Sequence, residues 1–324
     1  MIPSRETLLE LQARHRFSAR YLEIVLRLRE LLHVIGQDKS LTGSLVLKGG
    51  TALNLCFGAP PRLSVDLDLN YVGALDLRQM KEARPQKISA LERIARRAGY
   101  WIQSSAEEHA GKRLYLRYAS ALGGEGTLQV DVNFLHRISL GRIQELPVWN
   151  PAEADVVIAG VVSSSELIAG KAVALIDRVA ARDLYDIYYL QKRGSTFNLG
   201  REARAMFIAM SGVLSQPLTR YALDRLERVT DDAVRDTLHP LLRQDERPGA
   251  EELRKGAGQV MGPWLQLSAG EKEYAERLQR GELHPELLFP HDPMMAERLR
   301  QHPALLWKAK NAGSGARRAS RSKK

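Results

Sequence analysis

The chain has a single cysteine, Cys56, in 324 residues. A lone thiol excludes an intrachain disulfide and a cysteine-based zinc cluster, and it points to a reducing compartment, the cytoplasm. Cys56 sits in the apolar run A-L-N-L-C-F, where a free cysteine behaves as a small buried hydrophobe and not as a nucleophile. The eight histidines are scattered, with neither H-x-x-x-H nor His/Cys spacing, which argues against a transition-metal site. No stretch approaches the roughly 18 consecutive apolar residues that read as a membrane span. The N-terminal M-I-P-S-R-E-T is polar and contains an acid, unlike a signal peptide. Neither G-x-S-x-G nor G-x-x-x-x-G-K-[ST] occurs, which argues against an α/β-hydrolase and a P-loop NTPase. Acidic residues are also few beside basic ones, 38 against 48, for a net charge of +10. That excess favours polyanionic partners such as nucleic acid and nucleotides.

What is present begins with a soluble composition, 44% hydrophobic and 27% charged, on a chain long enough for two domains. Apolar residues recur at helical spacing from Ser4 to about Ile35, with Gly36 as a stop. A short strand over 45–47 runs into Gly49-Gly50, after which Thr51 is expected to cap a short helix ending at Gly58. The run V-D-L-D-L-N-Y-V then alternates with period two and predicts a strand. A basic helix is expected from Leu77 to Gly99, with Pro85 making an irregular start or a break. The strands L-Y-L-R-Y and T-L-Q-V-D-V-N-F flank G-G-E-G and predict a hairpin, and V-V-I-A-G-V-V reads as a further short strand. From Ser165 onward the pattern is helical. The expected organisation is α+β: an α/β domain over 1–163, a helical domain over 164–310 and a disordered basic tail over 311–324.

Two aspartates in an apolar strand need a reason. Residues two apart on a strand share a face, so Asp66 and Asp68 stand side by side while Val65, Leu67 and Leu69 face the core. Adjacent like charges repel, and a divalent cation is a common reason for keeping both ionised. Carboxylate oxygens suit Mg²⁺, which takes its other ligands from water and substrate phosphates. The hairpin strand carries a third acid, Asp131, which converges with the other two if the strands are neighbours. The bland alternative is three ordinary outward-facing aspartates. Preceding them, a Gly-Gly-Thr turn into a helix N-terminus offers backbone N–H groups to a phosphate.

K-G-G-T-A-L (48–53) followed by R-L-S-V-D-L-D-L (62–69) resembles the opening motif of nucleotidyltransferases of the DNA polymerase β superfamily. K-A-V-A-L-I-D-R (171–178) followed by R-D-L-Y-D-I-Y-Y-L (182–190) resembles the later motifs of the AbiEii/AbiGii toxin group, which includes the MenT-like toxins. The resemblance implies a nucleotidyltransferase core and a helical C-terminal region in a bilobed molecule, using Mg²⁺ or Mn²⁺ and an NTP. It implies the toxin of a type IV toxin–antitoxin or abortive-infection pair, acting on the tRNA 3′ end, with an AbiEi-like antitoxin encoded nearby and no stable complex between them. On this resemblance Gly49, Gly50 and Thr51 form the phosphate turn, with Lys48 in support. Ser64 and Asp66 match a small-hydroxyl-x-Asp pair, Asp66 and Asp68 hold metal with Asp131 as third carboxylate, Lys171 reaches the NTP phosphates, and Asp186 is the later acid required for activity.

From spacing alone, Lys171 and Arg178 share a helix face, so both cations can address one triphosphate. Asp183 has an alternative as an N-cap, and Asp186 as an acid in the same helix's first turn. Arg62 and Arg182 either pair with these acids or contact substrate. Tyr185, Tyr188 and Tyr189 are assigned to packing. Two other functions stay open: transfer to a protein or small-molecule acceptor, and a non-catalytic NTP- or RNA-binding regulator.

Overall fold

The computed structural model describes residues 3–104, 110–192, 194 and 197–321. The chain divides into two compact units, the first built from residues 1–163 together with 235–247, the second from 164–234 and 248–324. Of the expected basic tail, residues 311–321 continue the last helix, while side chains from residue 313 onward and residues 322–324 are not described.

The first unit opens with α1 (Arg5–His15) and α2 (Ala19–Gln37), followed by β1 (Leu45–Leu47), α3 (Gly49–Leu55), β2 (Asp66–Tyr71), α4 (Leu77–Arg97) and strands β3 (Trp101–Ser104), β4 (Gly111–Ala119), β5 (Glu125–Asn133), β6 (Gln144–Val148) and β7 (Val157–Val161). Ser4 caps α1 by accepting from the Thr7 N–H at 3.1 Å, and Asp76 caps α4 by accepting from Gln79 N–H at 2.9 Å. Pro85 lies inside α4 and does not break it. It is exposed, so water can serve the carbonyl that its missing N–H leaves unpaired.

The seven strands form one mixed sheet in the order β3-β4-β5-β2-β1-β7-β6. The expected hairpin is β4–β5, and its second strand does lie beside β2, in parallel. Strands β3 and β6, which lack a strong alternating pattern, are edge strands recruited by their neighbours. Register makes the β3–β5 part of the sheet one-sided. Leu114, Leu116, Tyr118, Leu128, Val130 and Val132 point to one face and are all buried. There the guanidinium of Arg27, on α2, lies 3.8 Å from the Tyr118 ring centroid. Each fully buried Leu or Val side chain contributes about 1.5–3 kcal/mol. The alternate residues, from Trp101 through Tyr115 to Asp131, are exposed or half-buried on the opposite face.

A segment remote in sequence completes this unit. Leu63 N–H donates to Leu241 O at 2.8 Å, Gln244 N–H donates to Arg16 O at 2.8 Å, and Arg16 pairs with Asp245 at 2.7 Å. Arg62, 2% exposed, bridges to Leu242 in the same segment and donates to Leu63 O at 2.9 Å.

The second unit is helical. Its helices are α5 (Ser164–Arg178), α6 (Ala181–Lys192), α7 (Arg201–Met210), α8 (Asp231–Thr237, crossing the division), α9 (Ala250–Leu265), α10 (Ala269–Gln279), α11 (Pro293–Arg300) and α12 (Pro303–Arg321). Helix α5 packs on α7, and α6 on α9. At the α6–α9 contact a Cβ on Gly256 would overlap the Tyr188 ring, so only glycine permits this approach. Among the described residues no helix is long and apolar enough to cross a membrane.

Candidate active site

The turn between β1 and α3 is built around Asp68. Lys48 is the N-cap residue, and its N–H donates to Asp68 O at 3.0 Å. The helix cap therefore falls three residues earlier than expected, and Thr51 lies within the helix instead of capping it. Gly49 has φ of 69°, a conformation that L side chains rarely adopt, and a Cβ there would collide with the Asp68 carboxylate. Both constraints demand glycine. Thr51, fully buried, donates its hydroxyl to the Asp66 carbonyl and is hydrogen-bonded to the Ser64 hydroxyl at 3.0 Å. Thr51 and Ser64 thus fasten α3 to the start of β2 and hold Asp66 in place. Gly49→Ala should shift the Asp68 carboxylate and cost about 10²-fold in transfer rate, measured against wild type by nucleotide incorporation at saturating NTP. An unchanged rate would show that Asp68 does not need this position.

The aspartates share a face as their spacing predicts. Asp66 and Asp68 are half-buried, while Leu67 and Leu69 between and beyond them are 0% and 1% exposed. The parallel β2–β5 register sets Asp68 directly opposite Asp131 and Asp66 opposite Gln129, on strands about 4.8 Å apart. Across the next strand pair, Arg113 stands opposite Asp131. Its Nε donates to Asp131 Oδ1 at 2.7 Å, and Gln129 Nε2 donates to Asp131 Oδ2 at 2.8 Å. Asp131 first, and the Tyr115 hydroxyl second, hold the Arg113 guanidinium above its usual range. A cavity of about 190 Å³ opens here, lined by Lys48, Asp68, Lys112, Arg113, Asp131 and Asn133.

The structure therefore brings Asp66, Asp68 and Asp131 to one face, but each Asp131 oxygen already accepts a hydrogen bond. Among the described residues no group of three or more His, Cys, Asp or Glu is arranged to hold a metal ion. Two neighbouring carboxylates are nevertheless the number that Mg²⁺ commonly takes from a protein when substrate phosphates and water supply the rest. Arg113 and Lys112 were missed from sequence. The alternation K-R-L-Y-L-R-Y was visible, but only the hairpin register puts Arg113 opposite Asp131. Cys56 is 3% exposed and burial pushes its thiol up to about 12, so it stays protonated.

In the second unit, the later motif forms a buried ionic cluster. Helices α5 and α6 are joined through Val179, at φ of 53°. Lys171 Nζ lies 3.1 Å from Asp183 Oδ1 and 2.7 Å from Asp186 Oδ2, with side-chain exposures of 8%, 0% and 1%. Arg178 also meets Asp183, its Nε 2.5 Å from Oδ2 and its second nitrogen 2.9 Å from Oδ1. The two cations do converge as spacing predicts, and they converge on the Asp183 carboxylate. Asp183 is inside the first turn of α6 and not its N-cap, and Asp186 lies beyond that turn. Burial raises Asp183, but Lys171 and then Arg178 outweigh it and hold the carboxyl below its usual range. Arg182 is on the first turn of α6 and is half-buried. Tyr185 and Tyr188 are buried, and Tyr185 stacks on Tyr189 at 5.6 Å, in keeping with a packing role.

A Gly-Gly turn entering a short helix, followed by a strand that carries alternating aspartates on one face of a mixed sheet, is the arrangement expected of a nucleotidyltransferase. The family model for the nucleotidyl transferase AbiEii toxin of type IV toxin–antitoxin systems matches residues 35–257. This chain belongs to that family and is an enzyme of its class. Among solved structures it is similar to MenT4, a nucleotidyltransferase toxin from Mycobacterium tuberculosis H37Rv, at 19% identity and a TM-score of 0.61, covering 93% of this chain and 99% of that one. That likeness establishes the fold. JHP933 from Helicobacter pylori also matches, at 22% identity, a TM-score of 0.44, and 74% and 93% coverage. No curated protein matches the chain.

Proposed function

We propose that this toxin transfers a nucleoside monophosphate from an NTP to the 3′ end of an RNA, with tRNA as the acceptor, and so inhibits translation and growth in the cytoplasm. The observation that carries the proposal is the register of β2 and β5, which sets Asp66, Asp68 and Asp131 together on one sheet face beside the Gly49 turn. Asp66 and Asp68 would hold Mg²⁺ or Mn²⁺. Bound there, such an ion would supply positive charge to the reacting phosphate and the departing pyrophosphate. The acceptor 3′ hydroxyl forms a new bond to the α-phosphorus, the bond to pyrophosphate breaks, and a carboxylate of this group takes the hydroxyl proton. Asp131 keeps Arg113 oriented across the cavity, where its fixed charge favours phosphate.

The family motif assigns Lys171 to the NTP phosphates and Asp186 to activity. As folded, the Lys171 ammonium is enclosed by Asp183 and Asp186, so a phosphate would compete with two carboxylates for it. We read the cluster first as the charge balance that lets α5 and α6 pack. An AbiEi-like antitoxin encoded nearby completes the proposal, acting without a stable complex.

The test is incubation of the purified chain with each labelled NTP, Mg²⁺ and total RNA. Label in tRNA supports the reading. Label in protein or a small molecule moves the acceptor. No label, together with equal toxicity of wild type and Asp66→Ala on expression, removes the enzymatic reading of this site.

A further inference from the structure

Away from the cavity, the open face of β3–β5 has a composition of its own. The registers place Trp101 opposite Arg117, then Gln103 opposite Tyr115 and Tyr115 opposite Gln129, one step along the strands from the Arg113–Asp131 pair. Trp101 is 60% exposed and is the largest side chain on this face. Tyr115 is half-buried and Arg117 exposed, its charge shared with exposed Glu125 across the hairpin. Such a surface pair is worth little and separates readily. Leu114 and Leu116 of β4 point to the other face, so beside Trp101, Tyr115 and Ala119 the open face carries polar and charged side chains among the described residues.

We propose that this face is a stacking platform for unpaired nucleotides of the acceptor RNA, running from Trp101 to the carboxylates; this deepens, and rests on, the reading of the site as an RNA-modifying one. Aromatic rings exposed on a sheet offer flat partners to bases whatever their identity. Arg117 beside them meets phosphates, and the Gln103 amide supplies a donor and an acceptor to base edges. Strand spacing and rise put Trp101 roughly 17 Å from Asp131. That is too far for the base of an NTP whose phosphates sit at Asp66 and Asp68, but a short run of nucleotides covers it. A duplex buries its base faces by stacking and has none to offer, so the platform selects an unpaired 3′ end.

The test is fluorescence anisotropy on the full chain carrying Asp66→Asn, with a labelled eight-nucleotide RNA, the DNA of the same sequence and a blunt RNA duplex. Adding Trp101→Ala should weaken single-stranded RNA binding about tenfold, within the range of one base–aromatic stack. Trp101→Phe should keep most of the affinity, and NTP affinity should not change. Because Trp101 is exposed, the alanine variant should melt with its parent. DNA binding equal to RNA binding supports a platform that contacts bases alone, and tighter RNA binding adds contact to the 2′ hydroxyl. Unchanged RNA affinity in Trp101→Ala, or duplex binding as tight as single-strand binding, overturns the proposal. Transfer by the chain with Asp66 intact is assayed separately. Transfer to RNA without a Trp101 effect rejects the platform alone, whereas a Trp101 effect without transfer keeps the platform and rejects the RNA-modifying reaction.

Discussion

Asparagine at Asp66 or Asp68 should lower nucleotide transfer by at least about 10²–10³-fold, the scale on which loss of one fixed electrostatic contact acts. Stability should not fall with it. The two carboxylates lie on one strand face two residues apart and are only half-buried, so neutralising one relieves repulsion between like charges. Rates measured with the labelled NTP, and melting followed by circular dichroism, separate the effects. Retention of activity in both variants would show that these acids are the surface residues of the bland reading. Asp131→Asn should behave differently, because it weakens a 2.7 Å charge-assisted bond to Arg113 and leaves the Asp66–Asp68 pair intact. Its loss should appear mainly as weaker NTP binding.

The second large effect is on stability. Lys171→Ala removes the buried ammonium that lies between Asp183 and Asp186, leaving two carboxylates of near-zero exposure with Arg178 as the cation seen at Asp183. Breaking a buried pair in this way costs about 3–5 kcal/mol, or roughly 10 °C in Tm. The pH dependence follows from Asp183, which the folded state holds below its unfolded value of 3.8. Its contribution is fully present above that value and is lost as pH falls through the depressed one. The Tm difference between wild type and Lys171→Ala should therefore narrow below about pH 4. NTP affinity, measured where the variant is still folded, decides the other reading. An unchanged Tm with lost NTP affinity would return Lys171 to the phosphates.

Local encoding explains which of these features sequence alone could reveal. Period two over 65–72 requires Asp66 and Asp68 to share a face, whatever lies beside them, because a strand alternates its side chains by geometry. The glycines before them mark a turn, and motif order points to a nucleotidyltransferase and to the AbiEii group. The helix cap was misjudged by three residues because Lys48 caps with its backbone alone, leaving no capping side chain to read.

The α+β class, the alternating aspartates and the family were determined by residues close together in the chain. Tertiary structure decided what those residues face. Arg113 meets Asp131 through a hairpin register across 18 positions, and Lys171 on α5 meets Asp183 on α6, 12 positions on. Residues 235–247 return to the first unit to pair with Arg62 and Leu63. Such pairings depend on which backbone groups hydrogen-bond across the fold and which charges burial forces together, and neither is written in a local run of residues.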